Sequence, residues 1–101
     1  MILAVTRMKV ISEKRMELSQ TIAYISGFIR QQQGCRRCEL CQSIDDEDRL
    51  YLLEEWDSEE NMSTHLNSEH FRVLRGAMNL LQEPYERNHF TMRKRNEGGM
   101  P

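Results

Sequence analysis

The chain has 101 residues, of which 39% are hydrophobic and 30% are charged, a composition typical of one globular domain. Its 14 basic and 16 acidic residues leave a formal net charge of -2, which gives no strong positive field for phosphate backbones, so a nucleic-acid partner is not expected. We predict one domain over residues 1–95 and a flexible tail over residues 96–101, in which Gly98 and Gly99 lie.

The N-terminal segment, residues 1–10, is rich in apolar, β-forming side chains and predicts the first strand. Arg7 and Lys9 end its apolar run far short of the roughly 20 residues that a membrane span needs. The run has no basic segment ahead of it and no small-residue cleavage site, so it does not look like a signal peptide. We therefore expect a cytoplasmic protein without a membrane partner.

An amphipathic helix is predicted after Ser12, a candidate N-cap, and it should end near Gly34. Its apolar residues recur at helical spacing and are Leu18, Ile22, Ile25 and Ile29. Strands two and three are predicted over residues 35–43 and 49–56, because a short acidic, turn-prone segment separates them. The run Leu50–Leu53 in strand three has no polar alternation, so we expect both faces of the sheet centre to be buried.

A second helical stretch is predicted from Ser58, or from Asp57 before it, since either side chain can cap a helix. The helix should break and restart at Ser68, and Pro84 prevents it from continuing further. After the break, its apolar stripe consists of Phe71, Leu74, Met78 and Leu81. Residues 85–95 then predict the fourth strand.

The predicted order of elements is β-α-β-β-α-β, which is that of the ferredoxin-like α+β fold, an antiparallel sheet with two helices on one face. The other face of such a sheet carries no helices. Because strand three is apolar on both faces, we expect the helix-free sheet face to meet the same face of a second copy in a two-fold homodimer.

Three stretches within roughly residues 1–92 resemble the antibiotic biosynthesis monooxygenase family, and the spacing between them also fits. The stretches are Gly34-Cys35, Glu54-Glu55-Trp56 and His65-Leu66-Asn67-Ser68-Glu69-His70-Phe71. The resemblance implies a dimeric α/β barrel. It does not settle the activity, because the family includes cofactor-free oxygenases of quinols and polycyclic aromatics, haem-degrading enzymes, an isomerase and proteins without an assigned reaction.

Haem degradation is not expected from this resemblance. The haem-degrading members carry an Asn on strand one, a Trp in helix two and a His about two turns later. The corresponding places here hold Thr6 or Arg7, His65, and Arg75.

His65 and Glu54 are the candidate catalytic residues that the resemblance indicates. Histidine suits a proton acceptor near neutral pH, and Glu54 could orient His65 by bonding to one imidazole nitrogen. The alternatives are a structural histidine, bonded to Glu54 or to a backbone carbonyl, and a Glu54 that pairs with an arginine of helix two or of the neighbouring strand. Both alternatives remain open from the sequence.

A substrate pocket between helices and sheet is the second part of the hypothesis. Its candidate lining residues are Trp56, Tyr51, Leu53, Phe71, Leu74 and Met78. The alternative for each is ordinary core packing, which is the usual role of apolar residues at helical or strand spacing.

The pattern Cys35-x-x-Cys38-x-x-Cys41 suggests an iron–sulfur or zinc site. On a strand, steps of three residues alternate between faces, so the three sulfurs cannot converge unless a bulge intervenes. We therefore predict no metal and read the cysteines as reduced, largely buried thiols.

The preferred function at this point is a cofactor-independent monooxygenase that oxidises a quinol or a hydroxylated polycyclic aromatic with O2. No Gly-rich nucleotide loop is present, and no cofactor is predicted. The alternatives are a non-catalytic dimeric module that binds a small hydrophobic or aromatic ligand, or acts in a stress response, and an isomerase of a small oxygenated metabolite.

Overall fold

The computed structural model describes residues 1–93, and the predicted tail lies outside them. The strands are β1 (Ile2–Lys9), β2 (Cys35–Gln42), β3 (Arg49–Trp56) and β4 (Glu86–Thr91). The helices are α1 (Arg15–Ile29), α2 (Glu59–Leu66) and α3 (Glu69–Gly76), with 3-10 turns at Ser12–Lys14 and Ala77–Leu80. This order confirms the predicted ferredoxin-like fold, with the second helical stretch divided into α2 and α3.

The sheet is antiparallel throughout and has the strand order β2-β3-β1-β4. β1 therefore lies between β3 and β4, and Thr6 is paired with Leu52 on one side and with Arg87 on the other. Because a pleated strand alternates its side chains, this register places all three residues on the same face. Side chains of the outer strand β4 can thus reach towards β3 across β1.

The two faces of the sheet are covered differently. The buried residues of β1 and β3 alternate with partly exposed ones, as expected for a sheet with helices on one side only. The helix-covered face carries Ala4, Thr6, Met8, Leu50, Leu52, Glu54 and Trp56, all of them buried. The helix-free face carries Leu3, Val5, Tyr51, Leu53, Glu55 and Phe90, all of them partly or largely exposed in the single chain.

Serine caps define the two short helices that cover the sheet. The Ser58 hydroxyl accepts a hydrogen bond from the Asn61 amide at 3.2 Å, and the Ser68 hydroxyl accepts one from the Phe71 amide at 3.2 Å. Ser12 does not cap α1 as predicted; its hydroxyl instead donates to Asp48 in the loop between β2 and β3.

Gly34 ends the turn between α1 and β2 in a left-handed conformation, with φ of 83°. A Cβ at this position would collide with the side chains of Asp57 and Asn61. The Gly34 carbonyl also accepts a hydrogen bond from the Asp57 amide at 2.9 Å, which ties the end of α1 to the start of α2.

Among residues 1–93, no helix is long and apolar enough to cross a membrane.

Candidate active site

The candidate site lies between the helix-covered face of the sheet and α2. Glu54 and Trp56, two residues apart on β3, point towards the helices, and both are completely buried. His65 is in the last turn of α2, where it shares the buried face of the helix with Met62. The strand period and the helix period thus bring Glu54, Trp56 and His65 together.

Glu54 is a buried carboxylate with several donors around it. Arg87 of β4 donates from Nη1 to Glu54 Oε2 at 2.7 Å and from Nη2 to Oε1 at 3.1 Å, which is a bidentate ion pair. The Trp56 indole donates to Oε1 at 3.0 Å. Burial by itself raises the pKa of the carboxyl, but His65 and Arg87 outweigh burial and lower the pKa of Glu54 to about 2. Glu54 is therefore ionised at neutral pH.

The His65 ring is held on all sides, with its side chain fully buried. Its Nδ1 lies 2.8 Å from Gln32 Oε1, and its plane stacks on Trp56 with centroids 4.8 Å apart. Its Nε2 lies 3.4 Å from Glu54 Oε1, and this contact lacks the geometry of a hydrogen bond. Among the described residues, Nε2 is the buried side-chain nitrogen or oxygen that has no hydrogen-bond partner.

An aromatic and cationic shell closes the site beside α3. The Phe71 ring meets the His65 ring edge to face at 5.3 Å. The guanidinium carbons of Arg75 and Arg87 each lie 5.4 Å from the centre of the Phe71 ring. Leu74 is buried nearby in the core, and Met78 packs against the core while remaining partly exposed.

The structure corrects the position of two predicted lining residues. Tyr51 and Leu53 are on the helix-free face, because they alternate with Leu52 and Glu54 along β3. They therefore do not lie beside His65, whereas Trp56, Phe71 and Leu74 are on the helix side of the sheet.

Local sequence patterns do not identify two residues of the cluster, Arg87 and Gln32. Arg87 belongs to β4, which β1 separates from β3, whereas the alternative in the sequence places an arginine partner of Glu54 on helix two or on the neighbouring strand. This arginine and this carboxylate lie on strands that are not adjacent in the sheet. Their pairing can be predicted only once the strand order is known. Gln32 lies in the turn after α1, and no pattern in the sequence marks it.

The cysteines do not form one cluster. A bulge at Arg36 places Cys35 and Cys38 on the helix side, opposite Trp56 and Glu54, whereas Cys41 is opposite Tyr51. Burial raises the pKa of Cys38 to about 12 and also raises the pKa of Cys35, so these thiols are protonated at neutral pH. Within residues 1–93, no group of three or more His, Cys, Asp or Glu side chains has the arrangement to hold a metal ion.

An apolar groove of about 620 Å³ lies elsewhere, between α1 and α3. Phe28 of α1 stacks on His70 of α3 with centroids 4.7 Å apart, and Tyr24 meets Phe28 edge to face at 5.2 Å. Val73 completes the apolar wall. This groove contains none of the residues of the buried cluster.

The fold and this buried polar cluster define a ferredoxin-like α+β protein whose charged centre lies between sheet and helices. The model of the family described as antibiotic biosynthesis monooxygenase matches residues 1–77, and the chain belongs to this family. Members of the family are typically dimeric. The match ends at Ala77, so it includes Glu54 and His65 but not Arg87.

Solved structures agree with the fold. A conserved protein from Methanosarcina mazei is similar with a TM-score of 0.87 and 24% identity, over 91% of this chain and 92% of its own. A Mycobacterium tuberculosis protein has a TM-score of 0.86 and 22% identity, over 95% and 98% of the two chains. A Nitrosomonas europaea protein that carries the family's name has a TM-score of 0.85 and 18% identity, over 91% and 98%. No curated protein sequence matches the chain.

Proposed function

We propose that this protein is a cofactor-independent monooxygenase that uses His65 as a base to oxidise an electron-rich quinol or hydroxylated polycyclic aromatic with O2. The observation that carries the proposal is the buried Nε2 atom of His65, which has no hydrogen-bond partner although an ionised carboxylate lies 3.4 Å away. Orphaned buried polar atoms are costly and rare in proteins, and catalysis is one reason to keep them.

The cluster has the chemical parts that such a reaction needs. His65 takes the acidic proton of an anthrone-like substrate, and Glu54 stabilises the imidazolium that forms. The substrate anion then gives one electron to O2, and the resulting radical and superoxide combine into a peroxide on the ring carbon. The imidazolium then returns its proton to the outer peroxide oxygen. Water leaves as the ring carbon loses its remaining C–H proton and the O–O bond breaks, so one oxygen atom remains as the carbonyl of the quinone product and the other leaves in water.

The surroundings of His65 favour an aromatic substrate. Trp56 and Phe71 contact the ring of His65, and Leu74 and Met78 extend the apolar wall on the same side of the sheet. Because the His65 side chain is fully buried, a substrate reaches Nε2 only when side chains of α3, such as Phe71, move aside. A site that closes in this way excludes water during the reaction.

We also propose that the functional unit is a homodimer that buries the helix-free face. The apolar side chains of Leu3, Val5, Tyr51, Leu53 and Phe90 form one patch there, and Phe90 is 54% exposed in the single chain. An apolar patch of this kind on a sheet is typical of an interface. A second copy would bury the patch without obstructing the cluster on the other face.

Oxygen uptake tests the oxygenase directly. Purified protein without flavin, nicotinamide or added metal should speed oxygen uptake by a reduced naphthoquinone or an anthrone above the protein-free rate. His65→Ala should lower the rate by ~10²-fold or more, because positioned bases typically contribute 10² to 10⁴. Glu54→Gln should cost less, since it removes the counter-ion and not the base. His89→Ala, at an exposed histidine, is the matched control and should leave the rate unchanged.

Oxygen traces that match the protein-free control across a panel of such substrates would contradict the oxygenase. If the wild type and His65→Ala both speed oxygen uptake at equal rates, the protein is an oxygenase but His65 is not its base.

The second candidate function is a non-catalytic module that binds a flat hydrophobic ligand. The observation that favours it is the aromatic groove between α1 and α3, which is open while the His65 cluster is closed. Tyr24→Ala should then weaken binding of an aromatic ligand without changing oxygen uptake. Native mass spectrometry of freshly purified protein would show a retained ligand together with the dimer.

A further inference from the structure

We infer that Gln32 is a positioning residue, which fixes His65 in the tautomer with the proton on Nδ1 and leaves Nε2 as the proton-accepting atom. The inference rests on the proposed role of His65 as a base and assigns the atom that acts. It also changes the expected division of roles, because the tautomer is set by an amide and not by the Glu54 carboxylate.

The backbone places Gln32 for this purpose. The chain turns directly after α1, where the Gln32 amide donates to the Ile29 carbonyl at 3.0 Å and the Cys35 amide donates to the Gln32 carbonyl at 3.1 Å. Gly34, with its positive φ, allows the turn to pass close to Asp57 at the start of α2. Gln32 therefore projects towards α2 from a turn that is bonded at both ends.

The side-chain contacts of Gln32 determine where the His65 proton lies. The Gln32 side-chain nitrogen is 3.4 Å from the Ser68 hydroxyl oxygen, and the Gln32 side-chain oxygen, Oε1, is 2.8 Å from His65 Nδ1. A carbonyl oxygen only accepts hydrogen bonds, so Nδ1 must donate. In a neutral imidazole, the proton on Nδ1 leaves Nε2 with its lone pair free.

Glu54 completes the arrangement from the opposite side of the ring. Its Oε1 is already bonded to the Trp56 indole at 3.0 Å and to Arg87 at 3.1 Å, and it lies 3.4 Å from Nε2. The bidentate ion pair with Arg87 and the hydrogen bond from the Trp56 indole keep Glu54 ionised while Nε2 carries no proton. When Nε2 accepts a proton, the carboxylate is already in place as a counter-ion, so little reorganisation is needed.

Nitrogen-15 NMR of histidine-labelled protein tests the inference without a substrate. The chain has three histidines, and a His70→Gln/His89→Gln background leaves His65 as the one reporter. Under mildly alkaline conditions, the spectrum should show a protonated Nδ1 and an unprotonated Nε2. Gln32→Leu should shift the ring towards the Nε2-protonated tautomer, which donates to Glu54. Gln32→Glu keeps an accepting oxygen and should restore the original pattern.

Gln33→Leu is the matched control, because Gln33 is the exposed neighbour of Gln32 in the same turn, and its spectrum should equal that of the parent. A parent protein with the proton on Nε2, or one with both nitrogens protonated under these conditions, would overturn the inference. So would a folded Gln32→Leu variant with the parent spectrum. If Gln32→Leu does not fold, the parent spectrum alone still decides.

Activity gives a second readout that separates this inference from the proposed function. In an active enzyme, Gln32→Leu should lower kcat by roughly 10²-fold, because the wrong tautomer removes the acceptor, whereas Gln32→Glu should retain most of the rate. If the protein shows the expected tautomer but no oxygen uptake, the assignment of the His65 tautomer stands and the proposed oxygenase activity is wrong. If the protein is active but shows the opposite tautomer, only the tautomer assignment is wrong.

Discussion

The two faces of the sheet differ in which side chains they bury and which they leave exposed. The helix-covered face buries a charged group, Glu54, together with Arg87 and His65, and the cluster is neutralised by bidentate pairing. The helix-free face carries apolar residues such as Leu53 and Phe90 in partly or largely exposed positions, although such residues normally avoid water.

This contrast separates two sources of function in one small domain. Buried charges are expensive and are retained where a specific geometry is needed, so the helix-covered face is the place to look for chemistry. Exposed apolar surface is costly until something covers it, so the helix-free face is the place to look for a partner. Adjacent residues of β3 belong to the two different faces, which makes the contrast testable by paired substitutions.

The largest expected effect comes from placing a carboxylate at Leu52, which is fully buried on the helix-covered face. Leu52→Asp should unfold the domain, because an unpaired buried charge costs several kcal/mol in a protein of ordinary stability. Leu53→Asp, one residue later on the helix-free face, should leave the monomer folded and abolish the dimer. Circular dichroism reports the fold, and sedimentation at low micromolar concentration reports the mass.

In the same sedimentation experiment, the wild type should remain dimeric. A monomeric wild type, or a Leu53→Asp variant that stays dimeric, would show that the helix-free face is not the dimer interface.

A smaller but still large effect is expected from breaking the buried ion pair. Glu54→Ala leaves Arg87, whose side chain is 12% exposed, without its carboxylate partner, and should lower the free energy of unfolding by about 3–5 kcal/mol. Glu55→Ala, on the helix-free face, removes a partly exposed pair with Arg37 and should cost about 1 kcal/mol or less. Urea unfolding of both variants measures the difference.

The double variant Glu54→Leu/Arg87→Met should recover most of the loss, since replacing both partners of a buried pair is far milder than removing one. Equal unfolding free energies for Glu54→Ala and Glu55→Ala would show that the two faces do not differ in this respect.

The smallest expected effect is the dependence of the free energy of unfolding on pH in the acid range. The folded-state pKa of Glu54, about 2, lies below the value of an unfolded glutamate, so its stabilising contribution is fully present above about pH 5. That contribution is lost as the pH falls towards 2, and it amounts to something on the order of 3 kcal/mol. Urea midpoints measured from pH 6 to pH 2 should therefore fall less steeply for Glu54→Gln than for the wild type.

The Glu54→Gln variant should keep a residual acid dependence, because hydrogen bonds also lower the pKa values of Asp46, Asp48 and Asp57. Identical acid profiles for the two proteins would mean that Glu54 is not the group that the buried arginine stabilises.

Local patterns predicted most of the fold. Helical spacing from Leu18 to Ile29 marked α1, and the break at Ser68 was visible because serine caps helices. The end of the last helix differs from the prediction, because α3 ends at Gly76 and a 3-10 turn follows, whereas the stripe of apolar residues predicts a helix as far as Pro84. Glycine weakens a helix interior, which favours an end at Gly76. In the 3-10 turn that follows, Ala77, Met78 and Leu80 pack against the core.

The sequence by itself determined the fold class, the family and the pairing of Glu54 and Trp56 on one strand face, because these depend on short-range periods and on motifs within single elements. The same period of two puts Tyr51 and Leu53 on the opposite face of β3 from Glu54. Only the tertiary structure decided that Arg87 reaches Glu54 from beyond β1 and that Gln32 bonds to the His65 ring. Each of these two contacts joins residues 33 positions apart. Strand order and the direction of a turn set them, and neither leaves a periodic signal in the chain.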